Sequence, residues 1–200
     1  MKKIILTFAV LICSAYLMNT NAQTSTSFGL KLNGNLTNVK LSNIESNGSF
    51  KPGVSLGGFT KIEFNENFAL QPELIFNYTE NDVKFSGKKT KFKYAGIEIP
   101  VYALGQFKAG SGKIFFGVGP HIGYGFSIDS KIEKLPEGSP DENKIELDHW
   151  YMGASTMVGY EFKNKISINA GYQLGFDLRS KNKSNDVKTQ TISLGVGYRF

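Results

Sequence analysis

The last twelve residues of the chain alternate apolar and small or polar side chains with a period of two. That period predicts a β-strand from Thr189 to Phe200 with one oily face and one small or polar face. A regular apolar strand with an uncovered edge is an aggregation hazard, so both of its edges need partners. Closing a barrel against the first strand of the chain would supply the missing partner. The oily side carries Gln190, Ile192, Leu194, Val196, Tyr198 and Phe200.

Seven further runs with the same period precede this strand, and most are long enough to cross a bilayer at a tilt, since about 9–11 residues suffice. The connections between the runs alternate between long and short, which is typical of outer-membrane barrels with long outer loops and short periplasmic turns. The sequence therefore predicts an all-β fold, an eight-stranded antiparallel up-and-down transmembrane β-barrel. The seven runs are predicted at 28–33, 53–64, 68–78, 93–106, 113–129, 150–162 and 166–179, and the long connections include 33–52 and 80–90.

The N-terminus has the features of a cleavable signal peptide. Lys2 and Lys3 precede a short apolar stretch at 4–17, and Thr20-Asn21-Ala22 forms a cleavage site. We therefore expect a signal peptide at 1–22 and a barrel domain at 23–200. The apolar stretch is too short for a stable transmembrane helix. Cys13, the only cysteine, would leave with the signal peptide, so we expect no disulfide or thiol chemistry.

Composition alone is compatible with a soluble protein, since 20% of residues are charged and the mean hydropathy is −0.20. A polar lumen and polar loops dilute the apolar signal of a membrane barrel in the same way. An exported lipocalin-like barrel that binds an apolar ligand is thus an alternative, and it requires the oily face to point inward. Aromatic residues gather near both ends of the runs, as expected for belts at two lipid–water interfaces.

The face opposite the oily one mixes glycine with charged side chains. An eight-stranded barrel is just wide enough for side chains to fill its interior, so we expect these charges to pair in the lumen. Glu73 and Glu98 need cationic partners, for which Lys31, Lys61 and Arg199 are the candidates. Such pairing predicts a largely plugged lumen, and the alternative is a narrow, porin-like passive-transport barrel. The predicted lumen network comprises Lys31, Lys61, Glu63, Glu73, Glu98, Glu161, Asp177 and Arg199.

Catalytic and cofactor-binding patterns are not evident in the sequence. His121 and His149 have no serine or aspartate in a local nucleophile motif, and no metal-ligand spacing occurs. We expect no enzyme activity, no metal and no cofactor. Clustered basic residues at 84–93 and 179–188 indicate contacts with anionic outer-membrane lipid and lipopolysaccharide. Export excludes nucleic acid as the expected partner.

Six short pieces of the chain together resemble a known family. The pieces are Gly29-Leu30-Lys31-Leu32-Asn33, Leu70-Gln71-Pro72-Glu73-Leu74, Ile97-Glu98-Ile99-Pro100, Gly117-Val118-Gly119-Pro120, Gly171-Tyr172 and Gly195-Val196-Gly197-Tyr198-Arg199-Phe200. Their order and spacing are similar to those of the PorT-like outer-membrane β-barrel family of the Bacteroidetes. The resemblance implies a barrel in the cell outer membrane, but no matched motif carries an activity.

The terminal aromatic residues resemble the signal that the outer-membrane assembly machinery reads, which makes Tyr198 and Phe200 the expected assembly signal. We therefore expect a monomeric, non-enzymatic integral barrel with a structural or accessory role. Its expected partners are outer-membrane lipid, lipopolysaccharide, the assembly machinery and a protein that binds its loops or turns.

Overall fold

The structure is a computed structural model that describes residues 24–41, 50–85, 88–131, 149–177 and 187–200. Within these ranges, the side chains of 39–41, 80–94, 127–131, 149, 177 and 187 are not described. The predicted signal peptide at 1–22 lies outside the described residues, so its boundary stays a prediction. No helix in the described part of the chain is long and apolar enough to span a bilayer.

Eight antiparallel strands form a closed barrel in which each strand pairs with its sequence neighbours and the last strand pairs with the first. The predicted fold class is confirmed. The closing pair brings Leu30 opposite Tyr198 and Leu32 opposite Val196. The strands are β1 (Ser25–Leu41), β2 (Lys51–Glu63), β3 (Phe68–Phe85), β4 (Lys88–Ala109), β5 (Gly112–Lys131), β6 (His149–Glu161), β7 (Ile166–Asp177) and β8 (Val187–Arg199).

Several strands are longer than the sequence predicts. The run predicted at 28–33 is part of a β1 that continues to Leu41, so the first part of the predicted 33–52 connection was wrong, and residues 42–49 lie outside the described residues. Asn33 pairs with Ser55 on one side and Gly195 on the other. The predicted 80–90 connection is likewise mostly strand. Pairing with two neighbours supports strand structure even where asparagine and lysine lower the intrinsic preference.

The oily face of the strands points outward. Leu56, Leu74 and Leu194 are 58%, 58% and 65% exposed, whereas Glu73 on the opposite face is 4% exposed. A soluble monomer rarely exposes so much contiguous apolar surface, but a lipid-facing barrel requires it. The lipocalin-like alternative, which needs the oily face inside, was wrong.

Three short connections lie at one end of the barrel, here called the turn end. In the 64–67 turn, Asn65 Oδ1 accepts hydrogen bonds from the backbone N–H of Asn67 at 2.9 Å and of Phe68 at 2.8 Å. Gly110 has a φ of 60° at the first central position of the 110–111 turn, where a type II′ turn requires glycine. Lys165, in the 162–165 turn, has a φ of 67°, which is uncommon for a residue with a side chain.

Aromatic rings pack in pairs near both ends of the barrel. At the turn end, Tyr160 and Phe162 have ring centroids 4.8 Å apart, and Phe64 stacks on Phe68 at 5.7 Å. Toward the opposite end, here called the loop end, the ring centroids of Tyr124 and Trp150 lie 5.1 Å apart. The apolar outer surface between these levels is the part of the barrel that contacts lipid.

Candidate functional site in the lumen

A buried ion pair crosses the middle of the lumen. Lys31 Nζ lies 3.0 Å from Glu73 Oε1 and 2.9 Å from Oε2, so both carboxylate oxygens accept from one ammonium group. Gln71 donates a further hydrogen bond to Glu73 at 2.7 Å. The ammonium group also lies 5.7 Å from the centroid of the Tyr102 ring. Strand alternation places these side chains inside the barrel.

A second ion cluster fills the lumen near the turn end. Lys61 Nζ lies 2.9 Å from Glu161 Oε2, and Arg199 donates to the other oxygen of the same carboxylate. Lys113 Nζ lies 3.2 Å from Glu63, and Arg199 Nη1 lies 3.7 Å from the other Glu63 oxygen. These five residues stand at the ends of their strands, next to the short turns, and register therefore brings them to one level.

The sequence predicted a cationic partner for Glu98, but the described partners of its carboxylate are neutral. Its carboxylate accepts a hydrogen bond from the Tyr151 hydroxyl at 3.1 Å and another from the Gln173 amide. Among the described residues, no cation forms a salt bridge with Glu98. Glu98 lies in the middle of β4, whereas Lys61 and Arg199 lie near the turn end and pair with Glu161 instead.

One predicted member of the network is not placed. The side chain of Asp177 is outside the described part of the structure, and only its backbone pairing with Tyr151 is defined. Its role in the lumen stays a prediction. The sequence analysis missed Lys113, although this residue lies two positions before Phe115 on the same strand and therefore faces the lumen as Phe115 does. Strand alternation would have identified it.

Apolar side chains and a very small cavity separate the two ion clusters. A buried apolar group of Ala69, Tyr102, Leu104, Phe115 and Met157 packs inside the barrel. The cavity between Lys31 and Lys61 measures about 20 Å³, which is room for roughly one water molecule.

His121 makes a polar contact inside the lumen. Its Nδ1 lies 2.7 Å from Ser155 Oγ, and the two residues are 3% and 0% exposed. Both groups are therefore shielded from any large substrate. The side chain of His149 lies outside the described residues. Within the described part of the chain, no group of three or more histidine, cysteine or acidic side chains is arranged to hold a metal ion.

An exposed ion pair sits on the surface of the turn end. Lys108 Nζ lies 2.8 Å from Glu66 Oε2, with side-chain exposures of 73% and 74%. The hydrogen bond from Lys108, with the positive charge of the same group, lowers the pKa of the Glu66 carboxyl below its usual value. Exposed pairs of this kind contribute little to stability.

Comparison with known proteins gives a family and a set of similar folds. The family described as "Outer membrane protein beta-barrel domain" matches residues 21–179. Neisserial surface protein A has 15% sequence identity and a TM-score of 0.53, with 88% of this chain and 99% of that chain covered. The outer membrane protein OprG of Pseudomonas aeruginosa has 13% identity and a TM-score of 0.51, with 88% and 97% covered. No curated protein matches the sequence. The finer prediction of a PorT-like family stays a prediction.

Proposed function

The chain belongs to the outer membrane protein β-barrel domain family and lies in the outer membrane, and from this premise we propose that it is a non-enzymatic barrel with a closed lumen. The pairing of charge inside the barrel carries this proposal. Among the described residues, four lumen cations form ion pairs with three lumen carboxylates, and a fourth carboxylate, Glu98, accepts hydrogen bonds from neutral donors. The ion pairs join Lys31, Lys61, Lys113 and Arg199 to Glu63, Glu73 and Glu161.

Packing supports the same conclusion. An ion that crossed the lumen would need a continuous hydrated path, but the cavity between the two ion clusters has a volume of only about 20 Å³. A buried charge that loses its partner is strongly disfavoured, so spontaneous opening of both clusters would be rare. The barrel therefore serves as a rigid membrane anchor that acts through its loops or turns.

Planar-bilayer conductance tests the closed lumen. The wild-type barrel should give no large, stable single-channel steps. Phe115 and Phe116 offer a matched pair of variants, because Phe115 is 7% exposed in the lumen and Phe116 is 52% exposed on the lipid side. Phe115→Ala should produce small openings, whereas Phe116→Ala should stay as silent as the wild type. Large steps from the wild-type barrel would instead establish the narrow, porin-like function.

The absence of enzyme activity is part of the proposal and has its own test. The burial of His121 and Ser155 supports it, because a catalytic pair must reach its substrate. Purified wild-type barrel and the His121→Ala and His149→Ala variants should show equally negligible turnover of phospholipid and lipid A. Turnover that is lost in either variant would contradict the proposal.

We also propose lipopolysaccharide as a partner at the loop end. The lysines between 84 and 93 carry this proposal through their sequence density, although their side chains lie outside the described residues. Binding to lipopolysaccharide should be strong at low salt and weak at high salt, since exposed charges are screened. A lack of salt-sensitive binding would refute this contact. We propose further that a protein partner binds the loops or turns, that the outer-membrane assembly machinery recognises the barrel, and that the barrel is monomeric.

A further inference from the structure

We propose that the turn end of the barrel contains a binding site for a phosphate group, in a cleft beside the 110–111 and 162–165 turns. The cleft has a volume of about 290 Å³, close to the lower limit of small-ligand sites. That volume suits one phosphate group with a small substituent. Its charged and aromatic lining consists of Lys108, Lys113, Lys163, Arg199, Glu161 and Phe162.

Positive charge dominates the cleft. Glu161 carries the only carboxylate among the described lining side chains, and both of its oxygens are already engaged, one by Lys61 and one by Arg199. The adjoining carboxylates of Glu63 and Glu66 pair with Lys113 and Lys108 and do not neutralise the remaining charge. The described group contains five cations and three carboxylates, namely Lys61, Lys108, Lys113, Lys163 and Arg199 against Glu63, Glu66 and Glu161.

Two of the cations have hydrogen-bond donors or charge that no described residue pairs with. Arg199 Nε is buried without a hydrogen-bond partner in the described structure, although a guanidinium group can donate five hydrogen bonds. Lys163 is exposed at the tip of the 162–165 turn and forms no salt bridge with any described residue. A phosphate oxygen is a strong acceptor for the exposed Lys163 ammonium group, and the charge of Arg199 attracts the same anion.

The position of Phe162 connects the cleft with the membrane. Its ring is 41% exposed and packs edge-on against Tyr160 at the turn-end aromatic level. Aromatic side chains of such belts lie at the depth of lipid headgroups. In the outer membrane, short turns face the periplasm. The phosphate group could therefore belong to an inner-leaflet phospholipid or be free in the periplasm, and the chemistry of the cleft is the same for both.

Titration calorimetry on the full barrel in maltoside micelles, which contain no phosphate, tests the site. One titration uses inorganic phosphate and another uses short-chain phosphatidylglycerol. We expect saturable binding that Lys163→Ala weakens about three- to tenfold, the range for losing a charge-assisted contact at an exposed position. Lys165→Asn is the matched control, because Lys165 carries the same charge on the same turn but does not line the cleft, and asparagine tolerates its positive φ.

The outcomes separate the two sources of phosphate from an error in the proposal. Binding of phosphatidylglycerol, with or without inorganic phosphate, assigns the cleft to a lipid headgroup, and binding of inorganic phosphate alone assigns it to soluble phosphate. No saturable binding of either ligand, or an equal loss in Lys163→Ala and Lys165→Asn, overturns the site. Conductance is a separate measurement, so an open lumen would refute the closed barrel and leave this result unaffected.

Discussion

The Lys31–Glu73 pair allows the energetic role of the lumen to be measured directly. Replacing Lys31 by methionine keeps most of its volume but leaves the Glu73 carboxylate, whose side chain is 1% exposed, without its cation. Removing one partner of a buried ion pair costs about 3–5 kcal/mol. The hydrogen bond from Gln71 to Glu73 remains at 2.7 Å, so we expect the lower end, about 3 kcal/mol of unfolding free energy.

A double variant shows how much of that loss belongs to the unpaired charge. In Lys31→Met with Glu73→Gln, no charge is left unpaired, and we expect stability to return to within about 1–2 kcal/mol of the wild type. Urea unfolding of the barrel in lipid vesicles, followed by Trp150 fluorescence and by the mobility of unheated samples in gels, measures each free energy. Lys108→Met is the control, since its pair with Glu66 is exposed and should contribute less than about 1 kcal/mol.

Two results would refute this reasoning. A loss below about 1 kcal/mol in Lys31→Met would mean that water reaches Glu73 and replaces the ammonium group, since surface pairs contribute that little. A double variant that loses the sum of the two single losses would show that the groups do not interact. Either result would also weaken the proposal of a closed lumen.

Three further variants test the closing seam, a turn and the terminal residue. Gly195→Ala should destabilise the barrel by about 1–3 kcal/mol, because the new Cβ would overlap Asn33 Oδ1 and approach a backbone oxygen to 2.6 Å. Gly34→Ala is the control and should stay within about 0.5 kcal/mol of the wild type, since its new Cβ has no neighbour closer than 3.9 Å. Equal urea midpoints for the two variants would contradict the expectation. Lys165→Gly should stabilise the barrel by about 1 kcal/mol, since glycine adopts the positive φ without strain. A urea midpoint equal to or below that of the wild type would argue against backbone strain at Lys165. Phe200→Ala should reduce the amount of heat-modifiable barrel in cell membranes, and unchanged assembly would remove this residue from the proposed signal.

The sequence predicted the sidedness of the barrel well because sidedness is a local property. Alternation along one strand assigns Glu73 and Leu74 to opposite faces without knowledge of any other strand. The structure places Glu73 inside and Leu74 outside. The same alternation along β5 assigns Lys113 to the lumen face, so this residue was predictable from the sequence.

Strand ends were less predictable, since residue preference and pairing compete there. Asparagine disfavours strands, so the stretch after Asn33 was predicted as a connection. In the barrel, this stretch pairs with both β2 and β8 as far as Thr37. The hydrogen bonds and cross-strand contacts of two neighbours outweigh a weak intrinsic preference.

The sequence by itself predicted the eight strands, the two faces of each strand and most of the charges found in the lumen, because each follows from local period and spacing. Only the tertiary structure decided which charges meet. Lys61 and Arg199 pair with Glu161, while Glu98 receives hydrogen bonds from Tyr151 and Gln173. The depth of each side chain in the lumen depends on the register of all eight strands around the closed sheet, and no single strand encodes that stagger.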